Sequence, residues 1–215
     1  MNHIPNGFRS AGAEDRPLTR RAKAKLETRG KVLQAAKSLF IERGYEAATI
    51  RDIAQAAGMS TGAVFANFTD KTHLFHEVMA ADLETQTALI RDAMDHPGPV
   101  EDAFVHFFAA GYRWHLEQLP LLQAAASLSW SQGLSGPSGE RPQYARVLGL
   151  GREVIDKAIA RKELKADIDI DLLVAMLWDA YQANYRLALY EDWTLEQLLE
   201  RLKSQVTVIL AGARV

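Results

Sequence analysis

Lys71 stands at the predicted start of a helix, where a cation opposes the helix macrodipole by roughly 0.3 to 1 kcal/mol. A phosphate would reverse that sign, because the free amides of a helix N-terminus bind anions and a lysine adds a point charge at the same place. The residues just upstream suit the same chemistry: Thr61, Gly62, Phe65 and Ala66 fall on the outward side of a short segment, and Asn67 ends it. An asparagine amide can pair with an adenine edge, although at a helix end it also serves as a cap. Other chemistries are poorly served. His73, His76 and Glu77 share one helix face, but their order is not that of a zinc hydrolase and no third ligand is identifiable, so no metal site is assigned. Gly133, Gly136 and Gly139, and separately Gly149 and Gly151, lack the strand-to-helix setting of a phosphate loop. Neither a nucleophile elbow nor a nucleophile–base pair can be placed, so no catalytic residue and no cofactor is expected, and the chain does not read as an enzyme.

The elements that must hold these residues are legible from Thr49 to Lys71, TIRDIAQAAGMSTGAVFANFTDK. Thr49 followed by Asp52 is a capping-box start, and Ile50, Ile53, Ala54 and Ala57 recur at helical spacing. Gly58 stops that helix because glycine tolerates the left-handed conformation of a sharp exit. Ser60 caps a restart, with Ala63 and Val64 facing inward through about Asn67. After the break at Phe68, Thr69 and Asp70, a longer helix runs from Lys71 through Leu74, Phe75, Val78 and Met79. Two short helices joined by a tight turn, followed at once by a third, form a DNA-reading shape.

From about Thr28 to Met79 the chain resembles the N-terminal DNA-binding domain of the tetracycline-repressor (TetR) family of transcriptional regulators. The matching pieces are an opening helix ending in Phe40 and Gly44-Tyr45, then Thr49 to Ala54, Ala57 to Ser60, Phe65, Phe68, Lys71 and Leu74. The resemblance implies an all-α fold of about nine helices, with a three-helix helix-turn-helix domain followed by a helical ligand-binding and dimerisation domain. It also implies a repressor that binds a palindromic double-stranded operator as a homodimer and is released by a small-molecule effector, with no membrane partner. The alternative is an all-helical small-molecule-binding or interaction protein without sequence-specific DNA binding. The DNA-binding residues are expected to be Arg29, Thr49, Arg51, Ser60, Thr61, Gly62, Phe65, Asn67 and Lys71. Three positions depart from the pattern. The family usually has tyrosine at Phe65, whose hydroxyl touches a phosphate; Asn67 is often aromatic or histidine, and Thr61 often lysine or arginine.

Charge agrees with a nucleic-acid partner for one half only. The 25 Lys and Arg against 27 Asp and Glu leave a net charge of −2, but residues 1–71 hold 12 basic and 7 acidic side chains, or +5, leaving −7 for the rest. Basic residues are densest at Arg16, Arg20, Arg21, Lys23, Lys25, Arg29 and Lys31, and such an arm could follow phosphates and offset the weakened grip of Phe65 and Thr61. Residues 1–22 are read as a disordered basic arm, 23–71 as the helix-turn-helix domain and 72–215 as the second domain. The absence of cysteine, of a long apolar run and of a signal-peptide-like N-terminus points to the cytoplasm.

Beyond Lys71, helices are predicted at about 71–94, 100–118, 120–132, 141–163, 169–191 and 194–211, with a flexible connection over Gly133 to Pro142. The last two suggest a dimer. Leu172 to Trp178 are apolar all round, and Leu195, Leu198, Leu199, Leu202, Val206 and Ile209 form a stripe behind a Thr194/Gln197 capping box. Two such helices from each chain would make a four-helix bundle with Leu173, Leu177, Asn184, Leu195, Leu199, Leu202 and Val206 at its interface. His106, Trp114, His115, Trp130, Trp178 and Tyr181, large side chains with polar handles, are assigned to an effector pocket.

Overall fold

The computed structural model describes residues 19–94, 96–131 and 142–215, with the side chains of 92, 93, 129–131 and 142–144 outside the description. Among the described residues there are nine helices: α1 (Arg20–Ala47), α2 (Ile50–Ala56), α3 (Thr61–Phe65), α4 (Lys71–Ala93), α5 (Val100–Leu116), α6 (Leu119–Ser131), α7 (Pro142–Ala160), α8 (Ile170–Tyr190) and α9 (Leu195–Ala211). The only extended pairing described is an isolated bridge between Leu164 and Arg214. None of the described helices is long and apolar enough to cross a membrane.

Local signals set most boundaries. The Thr49/Asp52 and Thr194/Gln197 capping boxes both form, each satisfying two orphan amides at the start of α2 and α9. Gly44 (φ 78°) interrupts α1 and Gly58 (φ 68°) ends α2, both in the left-handed region that favours glycine. Thr19 caps α1 through the amide of Ala22, so the basic run from Arg20 onward belongs to a helix and not to the arm predicted through residue 22. The rest of that arm, residues 1–18, and most of the Gly133 to Pro142 connection lie outside the described residues.

Two apolar cores form. In the first, Val32, Ala36 and Phe40 of α1 pack with Ile53, Val64, Phe68, Leu74, Phe75 and Val78. The rings of Phe40, Tyr45 and Phe75 meet there at centroid distances of 5.1–5.6 Å. The second core begins lower on α4, at Leu83 and Ile90, and continues through α5, α7, α8 and α9. Helix α4 therefore belongs to both. So does α6, whose Leu121 and Ala124 are buried in the first core while Leu119 and Leu122 pack against the second.

The α8 and α9 stripes serve the monomer. Leu173 and Leu177 of α8 and Leu202 and Val206 of α9 are buried in the second core, and Leu195 and Leu199 pack partly buried against it. Asn184 is buried and fully partnered within the chain: its Nδ2 donates to the Tyr112 hydroxyl (3.1 Å) and Gln205 Oε1 (2.7 Å), and its Oδ1 accepts from Arg201 Nε (3.1 Å). The seven residues assigned to a dimer interface thus face inward or line the chain's own packing, because a periodic stripe marks a covered face without saying what covers it. The large apolar side chains left uncovered are others: Leu172, Met176 and the terminal Tyr190 on α8 and Val208 on α9.

Candidate DNA interface and effector site

The N-terminal head places α3 outward on a fixed base. Val64 is its single buried residue, whereas Thr61, Gly62, Phe65 and Ala66 are exposed. The Ser60 hydroxyl accepts from the amide of Ala63 at 3.2 Å, so this side chain caps the helix. Thr49 is similarly engaged: its hydroxyl accepts from the Asp52 amide and donates to the Asp52 carboxylate, holding that carboxyl below its usual range. Arg51 is exposed at the front of α2.

Three residues expected at DNA are tied into the head instead. Asn67, just past the C-cap Ala66, turns back on α3, its Nδ2 donating to Ala63 O at 3.0 Å, so its amide nitrogen serves the helix end and not a base. Its Oδ1 is buried with no partner among the described residues. Arg29 donates to Asn67 O (3.2 Å), pairs with Glu77 and stacks 4.6 Å over the Phe68 ring. Lys71 reaches back to the end of α1, donating to Tyr45 O at 2.9 Å and Glu46 O at 3.3 Å with its ammonium 4.3 Å from the Tyr45 ring. Those carbonyls answer the sign problem of a cation at a helix start, since the last carbonyls of a neighbouring helix attract it. One of its three N–H donors is left for another acceptor. Asp70 caps the same helix, and the His73 amide bound to its carboxylate lowers its pKa.

The second core contains a chain of polar groups running from the head into its centre. Lys37 of α1 pairs with the buried Asp82 of α4, which also accepts from Trp114 Nε1 (2.8 Å) and Gln86 Nε2 (3.3 Å). Asp82 can only accept from Gln86, so the atom facing it is the amide nitrogen, whose second N–H points to His115 Nε2. Burial lowers the His115 pKa to about 4, leaving a neutral ring. With Nε2 accepting, Nδ1–H donates to the Tyr185 hydroxyl, which in turn donates to Tyr181. Burial raises the pKa of both tyrosines, so they stay protonated donors. Tyr181 lies flat against α5, where a Cβ on Gly111 would come within 2.1 Å of its hydroxyl oxygen.

Two cavities adjoin this chain. A void of about 60 Å³ is lined by Gln86, His115 and Trp178 together with Leu122, Ala125 and Gln182. On the far side of the last three opens a groove of about 1080 Å³, between the end of α1, α6, α8 and α9. Of the residues assigned to an effector pocket, His115 and Trp178 line the void, while Trp114 and Tyr181 stand behind it in the polar chain. His106 is elsewhere, exposed on α5 with its ring 5.5 Å from His96. The Trp130 side chain lies outside the described residues. Lys37, Asp82, Gln86, Tyr185 and Gly111 escaped the sequence reading. Their signal is the i, i+4 spacing of Asp82 with Gln86 and of Tyr181 with Tyr185 among apolar neighbours, which places each pair on one inward face.

Comparisons with known proteins agree with this architecture. Residues 32–78 match the family model for bacterial regulatory proteins of the tetR family. The chain is 27% identical over 161 residues to the transcriptional repressor KstR2 of Mycobacterium tuberculosis, covering 74% of this chain and 80% of that protein. It is 28% identical over 190 residues to the repressor BepR of Brucella suis, covering 87% and 81%. Its fold is similar to that of FadR from Bacillus subtilis, solved in complex with stearoyl-CoA, with a TM-score of 0.70 at 13% identity over 86% of this chain and 99% of that one. With that family's domain seated on the helix-turn-helix and repressor relatives similar across both cores, residues 32–78 form a tetR-family DNA-binding domain and the rest of the chain resembles transcriptional repressors that carry it.

Proposed function

We propose that this regulator is a cytoplasmic repressor that binds a palindromic operator as a homodimer and releases it when a small molecule enters the second domain. The observation that carries the DNA half is the exposed outer face of α3, set by the Ser60 cap on a head in which Arg29, Asn67 and Lys71 are tied internally. Arg51, Thr61, Gly62 and Phe65 would meet the groove, and the remaining donor of Lys71 a phosphate. Thr49, Ser60, Asn67 and Arg29 would act by holding the helices in place. Residues 23–71 would form the reading head and residues 72–215 the regulatory domain. The uncovered Leu172, Met176 and Val208 would form the core of the dimer contact, because α8 and α9 pack as neighbours and leave these apolar groups in water.

The effector reading rests on α6. One side of this helix is buried in the head and its other side separates the large groove from the small void. A ligand filling the groove and opening the void would have to move Leu122 and Ala125, and with them Leu121 and Ala124. A 10-fold loss of operator affinity requires about 1.4 kcal/mol of difference in ligand binding between the two states. The groove's size and apolar lining favour a large, mostly apolar effector with a polar or anionic end near Arg43, Arg186 or Arg201, a class to which stearoyl-CoA, bound by FadR, belongs. The test is to select a duplex from a random library and titrate the complex with sterol-like and acyl-CoA compounds. Release at ligand concentrations that leave an Ala125→Trp variant bound is expected; a complex insensitive to every such compound would count against this effector class.

A further inference from the structure

We infer that Phe65 reads the C5-methyl groups of thymine, so that this protein recognises its operator through apolar contact more than through hydrogen bonds to base edges. The inference rests on the proposal that α3 enters the major groove. The outer face of α3 consists of Thr61, Gly62, Phe65 and Ala66, all exposed, and Phe65 keeps 55% of its surface in water. That face contains no arginine, lysine, asparagine or glutamine, the side chains whose geometry gives bidentate pairing with guanine or adenine. Three nearby candidates are occupied: Asn67 donates to Ala63 O, Ser60 caps α3, and Arg29 holds Asn67 O and Glu77, which leaves Arg51 on α2, off this face, as the exposed guanidinium beside it. The Thr61 hydroxyl is the one polar group of the face, beside a methyl that can act as Phe65 does.

Phe65 is not needed by the head. Its core already holds Phe40, Phe68 and Phe75, each at most 1% exposed. Of the four bases only thymine offers an apolar group to the major groove, the C5-methyl, and a phenyl ring can cover it as a hydroxyl-bearing ring directed at a phosphate would not. Gly62 lies three residues before Phe65, and a Cβ there would meet only Ser60 Oγ at 3.8 Å, so the glycine leaves room for DNA next to the ring without relieving any clash within the head.

The test uses the full-length protein and the duplex it selects from a random library. Each thymine is replaced in turn by deoxyuridine, which deletes the methyl group and keeps base pairing. At about 0.8 kcal/mol per buried methyl-sized group, one position in each half-site should weaken binding about 4-fold singly and about 15-fold when both are replaced. Phe65→Ala should bind more weakly and lose that sensitivity, Phe65→Leu should retain part of it, and 5-methylcytosine at the same position should recover affinity relative to cytosine. Helical content and melting temperature of both variants are read alongside, and an exposed side chain predicts no change. Deoxyuridine without effect at every thymine, an equal effect in Phe65→Ala, or a selected site with no thymine would overturn this inference while leaving the DNA-reading function intact. Failure to select any sequence would overturn both.

Discussion

Protonation of His115 should destabilise the fold in a pH window that opens above the titration of most carboxylates. Its ring is buried and lies between the Gln86 amide and the Tyr185 hydroxyl, an arrangement that needs Nε2 as an acceptor. The folded pKa of about 4 lies below the unfolded value of about 6.5, so the unfolded chain binds the proton more readily. The stabilisation is therefore fully present above pH 6.5 and declines as pH falls toward 4. From those two values the loss is about 2 kcal/mol at pH 5 and about 3 kcal/mol at pH 4. Urea unfolding of the wild type and of His115→Gln, at one protein concentration and at pH 7.5, 6, 5 and 4.5, isolates the contribution. Glutamine keeps one donor and one acceptor but does not titrate, so the stability difference between the two proteins should narrow by about 2 kcal/mol between pH 7.5 and 5. Parallel pH profiles would refute the buried neutral imidazole and the hydrogen-bond order built on it.

The other predictions concern the same packing and the two proposed interfaces. Gly111→Ala should destabilise the protein by about 2 kcal/mol or more in thermal or urea unfolding, because the new methyl collides with the Tyr181 hydroxyl, and Tyr181→Phe should recover part of that loss. Met176→Glu combined with Val208→Glu should shift the protein to monomer in sedimentation experiments, whereas Leu202→Ala should lower stability by about 2 to 5 kcal/mol as a core truncation. Removing residues 1–18, which carry Arg9 and Arg16, should reduce the slope of log affinity against log salt by up to about 2 if both meet phosphates, and Lys71→Met should reduce it by about 1. An unchanged slope in each case would confine the grip to the head's other residues.

Most helix limits were readable because they depend on neighbours in sequence. Thr49 with Asp52 and Thr194 with Gln197 each complete a capping box within one turn, and Gly58 ends α2 through its own backbone freedom. What escaped depends on residues far apart in the chain. Leu198, Leu202 and Val206 repeat as they would for either a partner subunit or the chain's own α5 and α8, and only packing distinguishes the two. Lys71 looked free because its acceptors, the carbonyls of Tyr45 and Glu46, lie 26 and 25 residues earlier. Asp82 and His115 each look like isolated polar residues until the packing of α1, α4, α5 and α8 brings Lys37, Gln86 and Tyr185 beside them. His106 shares its residue type with His115 but points to the opposite side of α5, a matter of helical phase that residue type alone does not convey.

The central claim is that the α2–α3 head reads a particular DNA sequence, and the ratio of two affinities tests it most directly. At fixed salt near 0.15 M, affinity is measured for the duplex selected from a random library and for a scrambled duplex of the same length and composition. Specific recognition predicts a ratio on the order of 10³ or more, arising from two half-sites about one helical turn apart. A ratio near 1 at the same salt would contradict it.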